Sequence, residues 1–207
     1  MKFMFRPLTL GLLIVSAVSQ LSACFPLAVG GAVMTGMVAT DRRTSGTVVE
    51  DQAIEFKASS RIRDSLGDRA HINITSFNRQ VLITGEAPNA QDKALVSQIV
   101  RNVENVESTV DEVAVMGNSN LSERSSDLII TGRIKASLLD SKDIFGTAFK
   151  VTTERGVAFL MGRVTEREAK RATEAASVVP GVKKVVRILE IVSEDELSRA
   201  QNTAPKK

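Results

Sequence analysis

The chain contains few of the side chains on which catalysis, metal binding and nucleic-acid recognition usually depend. Its 207 residues include no tryptophan, no tyrosine, one histidine and one cysteine. Binding of single-stranded nucleic acid relies on several aromatic rings, and zinc sites or disulfides need several His or Cys side chains. His71 stands next to a predicted strand without a catalytic partner, which is typical of a surface or turn-capping histidine. The sequence therefore predicts no enzyme activity, no cofactor, no metal site and no nucleic-acid partner.

The single cysteine, Cys24, follows an apolar segment near the start of the chain. Lys2 and Arg6 precede an apolar run over 8–18, and small residues come directly before the cysteine. This is the pattern of a cleaved signal peptide. The run LSAC that ends at the cysteine resembles the lipobox of bacterial lipoproteins, so we expect Cys24 to be acylated and to begin the mature protein. An uncleaved transmembrane anchor is the alternative, although residues 8–23 fall short of the about 20 residues that a bilayer span needs.

The two halves of the mature chain differ in charge. Residues 48–116 contain 7 basic and 11 acidic side chains, whereas residues 125–192 contain 12 basic and 8 acidic ones. A basic half in an exported protein favours an anionic partner. Anionic lipid head groups fit that description, and the alternative is that the charge only keeps a small domain soluble.

One sequence unit occurs twice. The segment VLITG at 81–85 recurs 77 residues later as AFLMG at 158–162, and the flanking segments match at nearly the same offset. In each copy the apolar spacing predicts a helix, two strands joined by a turn, a second helix and a third strand. The order αββαβ predicts an α+β fold of two tandem sandwiches, each a three-stranded sheet with two helices on one face.

The predicted organisation follows from these repeats and from the polar segments between them. Each unit has about 65 residues, enough to fold with a thin core, so the two copies are expected to support one another or to need a partner. Along the chain we expect a signal peptide over 1–23, an acylated N-terminus and flexible tether over 24–47, a first unit over 48–116, a linker over 117–125, a second unit over 126–192 and a disordered tail over 193–207.

Each unit resembles the BON domain. The resemblance rests on the V-x-L-x-G strand motif (Val81, Ile83, Gly85), the apolar helix that follows it, and the Gly-Val step at 181–182 before the last strand. The first unit departs from the motif at 105–106, where Asn-Val replaces Gly-Val. Two such units behind a lipobox resemble the dual BON-domain outer-membrane lipoproteins over nearly the whole mature chain.

The resemblance implies where the protein acts and what it binds. It implies a non-enzymatic protein, lipid-anchored at the inner leaflet of the outer membrane, facing the periplasm and maintaining envelope integrity. The partner that it implies is an anionic phospholipid, phosphatidylglycerol or cardiolipin, bound by the second unit. Phe25, rather than aspartate, follows the cysteine, which in many Gram-negative bacteria permits transfer to the outer membrane.

The first helix of the second unit is the predicted lipid-contact surface. Ile130 belongs to its core stripe with Ile134 and Leu138, while Ile129 and Leu139 widen the apolar arc on either side of that stripe. Apolar side chains flanked by cations suit an interfacial helix. The predicted phospholipid-binding residues are Ile129, Arg133, Lys135, Leu138, Leu139 and Lys142.

Other interpretations of the chain stay open at this point. Ile129 and Leu139 are alternatively buried against the first unit. The whole protein is alternatively a scaffold for outer-membrane assembly proteins, with the lipid anchor serving only as a tether. A carrier with an internal ligand pocket is a third possibility, although units this small leave little volume for one.

Overall fold

The computed structural model of the chain describes residues 42–203. The predicted signal peptide, Cys24 and the tether as far as residue 41 lie outside the described residues, as do residues 204–207. Across 42–203, no helix combines the length and the apolar character needed to cross a membrane. Both predicted repeat units lie within this range.

Each unit folds in the predicted order of helix, hairpin, helix and strand. The first unit consists of α1 Ser45–Leu66, β1 His71–Phe77, β2 Gln80–Ala87, α2 Ala90–Arg101, β3 Ser108–Asp111 and β4 Ala114–Val115. The second unit consists of α3 Leu121–Asp140, β5 Phe149–Glu154, β6 Val157–Val164, α4 Glu166–Ser177 and β7 Lys184–Ile191, and the helix α5 Glu194–Thr203 follows it. The predicted α+β fold is confirmed.

In each unit a parallel third strand extends an antiparallel hairpin. The strand order is β1-β2-β3 in the first sheet and β5-β6-β7 in the second. β4 also pairs with β2, so the third strand of the first unit is interrupted between Asp111 and Ala114. β2 and β6 are therefore the central strands, each with a neighbour on both sides.

An aspartate from the preceding helix holds each hairpin turn. The central residues of the turns, 78–79 and 155–156, all have φ between 51° and 79°, as in the type I′ turns that match the twist of a hairpin. Asp51 accepts hydrogen bonds from both amides of the first turn at 2.8 Å. Asp127 accepts those of the second turn at 2.7 and 2.9 Å. The two aspartates lie 76 residues apart, so this anchor belongs to the repeated unit.

The helices cover one face of each sheet, as predicted. α1 buries side chains at steps of four residues, namely Ile54, Ala58, Ile62 and Leu66. α3 buries the equivalent stripe, namely Ile130, Ile134 and Leu138. These stripes pack on the helix-facing side chains of β2 and β6, so each unit has its own apolar core.

The other faces of the two sheets pack against each other. Leu82 from β2 lies in one buried cluster with Phe159 and Met161 from β6 and with Phe77 and Ile188. Successive side chains of a strand point to opposite faces, so the apolar runs of β2 and β6 are buried on both sides. The two units therefore form four layers, helix–sheet–sheet–helix, and complete each other's thin cores.

At three places the structure has a capped helix where the predicted segments have tether, linker or disordered tail. α1 begins within the predicted tether because Thr44 accepts a hydrogen bond from the amide of Thr47. α3 begins within the predicted linker because Asn120 and Glu123 form a capping box. Within the predicted disordered tail, residues Glu194–Thr203 form α5, with the hydroxyl of Ser193 accepting from the amide of Glu196.

Candidate functional site

The side of α3 opposite the core exposes four large apolar side chains. Leu121, Leu128, Ile129 and Leu139 are 80, 72, 56 and 63% exposed, respectively. The three leucines are spaced by 7 and 11 residues, close to whole numbers of turns, so they lie on one line. We call these four side chains the outer ridge. Single exposed leucines are ordinary, whereas four large apolar side chains exposed on one helix are a candidate interaction surface.

Of the three predicted apolar lipid-contact residues, two are exposed and one is buried. Ile129 and Leu139 lie on the outer ridge, so they are not buried against the first unit and that alternative is wrong. Leu138, one of the predicted phospholipid-binding residues, is 1% exposed and packs in the core with Leu160. The prediction for Leu138 is wrong, because a side chain on the core-facing side of α3 cannot reach a ligand on the exposed side.

The predicted cationic residues flank the ridge without ionic partners. Arg133 and Lys135 are exposed on α3, and Lys142 is exposed just after it. None of the three forms an ion pair with another residue of the described range 42–203. By contrast, Arg163, Arg167 and other arginines of the same unit are paired with carboxylates. The three cations are thus available to an external anion.

The equivalent helix of the first unit differs in charge. α1 also exposes apolar side chains, since Val49 and Phe56 are 65 and 75% exposed. Its cations Lys57 and Arg61, however, both pair with Glu104, at 3.6 and 2.9 Å. The third cation of α1, Arg63, is exposed and forms no ion pair within 42–203. The difference is therefore one of number, with three unpaired cations beside the ridge of α3 and one on α1.

Contacts at both ends hold α3 in place. Asp127 near its start is fixed to the second hairpin turn. Near its middle, the hydroxyls of Thr131 and Thr153 are hydrogen-bonded at 2.8 Å. After its end the chain returns so closely that a Cβ on Gly146 would lie 2.6 Å from the carbonyl oxygen of Leu138. The outer ridge is thus presented on a rigid support.

A polar cluster at one end of the sheet-to-sheet interface holds the units together. Glu86 is buried and accepts hydrogen bonds from Arg155 at 2.8 Å, from the amide and hydroxyl of Ser119 at 3.2 and 3.1 Å, and contacts His71 at 3.2 Å. Burial raises the pKa of Glu86, but these hydrogen bonds outweigh it and lower the pKa below its usual value. Glu154 accepts from Asn73, and here burial dominates and raises the pKa.

The same cluster has the residue types of a metal site, but the oxygens of its buried carboxylate are not free to bind a metal ion. Ligand atoms of His71, Glu86 and Glu154 lie within 4.8 Å of one another. The oxygens of Glu86 are already occupied by donors that include the guanidinium of Arg155, which balances the carboxylate charge. We interpret the cluster as an inter-unit hydrogen-bond network. The sequence predicts a surface or turn-capping His71 and gives no sign of this network, because Glu86 and Glu154 lie 15 and 83 positions away along the chain.

The concave surfaces of the described residues give little support to a carrier. One groove, of about 640 Å³, runs along α2 and is open to solvent. Its lining is polar and charged, including Lys93, Ser97, Arg101 and Asp111. An enclosed apolar ligand site would be lined mostly by apolar side chains.

Comparison with known proteins identifies the repeated unit. The family model of the BON domain matches residues 50–117 and 126–193. The outer membrane lipoprotein DolP of Haemophilus influenzae is 31% identical over 178 residues, covering 85% of this chain and 92% of that protein. A 21 kDa hemolysin of Actinobacillus pleuropneumoniae is 31% identical over 154 residues, covering 73% of this chain and 79% of that protein.

A solved structure, the C-terminal domain of the type III secretion protein CdsD of Chlamydia trachomatis, gives a TM-score of 0.29 at 11% identity. It covers 67% of this chain and 96% of that domain, and a likeness this low bears on neither fold nor function. The family match and the DolP relative cover both repeat units and most of the chain. The chain therefore belongs to the BON-domain family and is a lipid-anchored outer-membrane lipoprotein with two BON domains.

Proposed function

We propose that this protein binds anionic phospholipid through the outer ridge of α3 and thereby supports the integrity of the outer membrane. Acylated Cys24 holds it at the inner leaflet, facing the periplasm, and no catalysis is involved. The observation that carries the proposal is the outer ridge together with the unpaired Arg133, Lys135 and Lys142. Apolar side chains enter the acyl boundary while cations meet the phosphates.

The expected binding free energy is small, which suits a lipid-binding surface that acts together with an acyl anchor. Each cation near an anionic membrane contributes about 1 kcal/mol, and full burial of a leucine contributes roughly 1.5–3 kcal/mol. Partial insertion of the ridge therefore gives a weak, salt-sensitive site. An acyl anchor raises the effective lipid concentration at that site, so the tethered protein is expected to engage lipid that the free domain binds only weakly.

A titration followed by NMR tests the proposed surface. The soluble chain from residue 42 onward is titrated with micelles of phosphatidylglycerol and, separately, of a zwitterionic lipid. We expect amide shifts confined to 121–142 with the anionic lipid, which weaken as salt is added. Shifts centred on α1, or equal shifts with both lipids, contradict the proposal. Mass spectrometry of the native N-terminus tests the acylation of Cys24.

Matched variants separate the ridge from general surface hydrophobicity. Leu128→Ser with Ile129→Ser removes two exposed side chains from α3, and Val49→Ser with Phe56→Ser removes two similarly exposed ones from α1. We expect the first pair to abolish the lipid-dependent shifts and the second pair to leave them unchanged. Equal losses from both pairs would show that the ridge has no special role.

Exposure of Phe56 and Val49 on α1 favours a second candidate function. An apolar pair on a helix where two of the three cations, Lys57 and Arg61, are already paired suits a protein partner better than a lipid surface. In this case the protein is a scaffold for outer-membrane assembly proteins. A photo-crosslinker at position 56 that traps such a protein, together with a soluble chain indifferent to lipid, would favour the scaffold over phospholipid binding.

A further inference from the structure

The residues before α1 attach the start of the described chain to the second unit. The guanidinium of Arg42 donates to both carboxylate oxygens of Glu168 at 2.8 Å and to the carbonyl oxygen of Arg163 at 3.0 Å. It also lies 5.5 Å from the ring centroid of Phe145. Arg42 and Glu168 side chains are only 11 and 5% exposed. Bidentate pairs of this kind are strong and fix orientation.

The next residue attaches to the first unit. Arg43 donates to Asp51 at 2.7 Å, and its guanidinium lies 4.4 Å from the ring centroid of Phe77. Adjacent arginines thus bind to opposite units. We call residues 42–44 the strap. Since both of its arginines are held by carboxylates and rings, the position at which the chain leaves the folded units is defined.

The strap leaves the folded units beside the C-terminal end of the outer ridge. Phe145, under Arg42, follows the end of α3 by five residues and is itself 43% exposed. Leu139 and Lys142 belong to the same end of the helix, whereas Leu121 lies at the other end. Leu121 and Asp140 are 19 positions apart on α3, which corresponds to about 28 Å along the helix axis.

The sequence joins this position to the membrane anchor. Seventeen residues separate Cys24 from Arg42, a length that spans at most about 60 Å. A bilayer that holds Cys24 is therefore within reach, and an attachment of this length keeps the nearest surface at high effective concentration. The nearest surface is the one beside the strap.

Building on the proposed function, we propose that the strap orients the anchored protein so that Leu139, Lys142 and Phe145 form the part that enters the bilayer. The occupant of this surface is the leaflet that carries the acyl chains of Cys24. Phe145 supplies an aromatic ring and Lys142 a cation, the pair of side-chain types found on interfacial segments. Leu121, at the far end of the ridge, then lies farther from the acyl region.

The absence of native tryptophan allows a direct test, because an introduced tryptophan is the only indole reporter. The lipidated full-length protein is reconstituted in phosphatidylglycerol vesicles with brominated acyl chains, which quench indole fluorescence on contact. Reporters are placed by Phe145→Trp beside the strap, Leu121→Trp at the far end and Phe56→Trp on α1. We expect severalfold stronger quenching at 145 than at 121, and none at 56.

The strap itself is tested with Arg42→Gln, which leaves the Thr165–Glu168 capping box in place. We expect the difference in quenching between positions 145 and 121 to disappear, and Arg42→Lys, which keeps the charge without the bidentate geometry, to restore it in part. Circular dichroism checks that each variant is folded. For a variant that is not, insertion of a Gly-Ser pair between residues 43 and 44 is used in its place, as a change that loosens the connection between the strap and α1.

The outcomes separate the inference from the proposed function. Equal quenching at 145 and 121 overturns the orientation but leaves lipid binding by the ridge intact. Unchanged quenching after the strap is altered overturns the role of the strap. An absence of quenching at both positions overturns the proposed function itself, which the micelle titration of the untethered chain checks independently.

Discussion

The ion pair between Arg42 and Glu168 gives a pH-dependent prediction whose magnitude follows from the structure. Burial raises the pKa of Glu168, but the hydrogen bonds and charge of Arg42, with the amide of Thr165, outweigh it and lower the pKa from 4.5 to about 2. A pKa difference of this size corresponds to about 3 kcal/mol of folding free energy. Because the folded pKa lies below the unfolded one, this stability is present above pH 4.5 and is lost as the pH falls towards 2.

Arg42→Gln removes the largest favourable contribution to that low pKa. Thr165 and the amide of Phe145 still donate to Glu168, so the loss is smaller than the whole pKa effect. Removal of the Arg42 charge also leaves the Glu168 carboxylate buried without its partner, which in buried pairs costs about 3–5 kcal/mol. We therefore expect the variant to be about 2–3 kcal/mol less stable than the wild type at pH 7.

Urea unfolding of the soluble chain at pH 7 and at pH 2.5 measures this difference. The deficit of Arg42→Gln should shrink at pH 2.5, where much of the pairing energy is already lost in the wild type. Arg171→Gln is the control, since Arg171 pairs with Glu174 at 3.5 Å on the exposed surface and such pairs contribute about 0–1 kcal/mol. A full deficit that persists at pH 2.5, or no deficit at pH 7, would refute the assignment of the low pKa to Arg42.

Three further predictions concern stability. Leu138→Ala should cost about 2–5 kcal/mol in urea unfolding, as for other buried leucines, whereas Leu139→Ala should change the free energy by less than about 0.5 kcal/mol; equal effects would contradict their assignment to core and surface. Asp127→Ala leaves two turn amides unpaired and should cost about 1–3 kcal/mol; an unchanged melting temperature would contradict its role. Glu154 has a raised pKa, so its stabilising effect is present at low pH and lost as the pH rises through the folded pKa; Glu154→Gln should therefore raise the melting temperature at pH 7 but not at pH 3.

The core of each unit could be predicted from the sequence because its signals are local and repeated. Steps of four residues on α1 and α3 reveal the buried stripes directly, and the duplicated strand motif sets the hairpins in register. The sheet-to-sheet interface was harder to assign. Leu82 and Phe159 occur within continuous apolar runs, which indicate strands buried on both faces but do not identify what covers the second face.

Long-range polar contacts carried no sequence signal. Arg42 and Glu168 are 126 positions apart, and Arg155 and Glu86 are 69 positions apart, so neither pairing can be read from spacing. Leu138 was misassigned for a different reason. The steps of four residues from Ile130 mark Leu138 as buried, and the structure agrees. The lipid-contact set was therefore wrong to include it beside its exposed neighbour Leu139.

Internal duplication provides the strongest argument that the outer ridge has a function. Residues of α1 and α3 correspond at an offset of 76, and their buried positions are alike, as Asp51 matches Asp127 and Ile54 matches Ile130. Both helices therefore meet the same structural demands from their sheets. Their outward positions diverge: the exposed Leu128, Ile129 and Leu139 of α3 correspond to Gln52, Ala53 and Arg63 of α1. Since the fold is satisfied equally by either set, packing within the folded units does not require the apolar set on α3, and this supports the proposed contact with lipid.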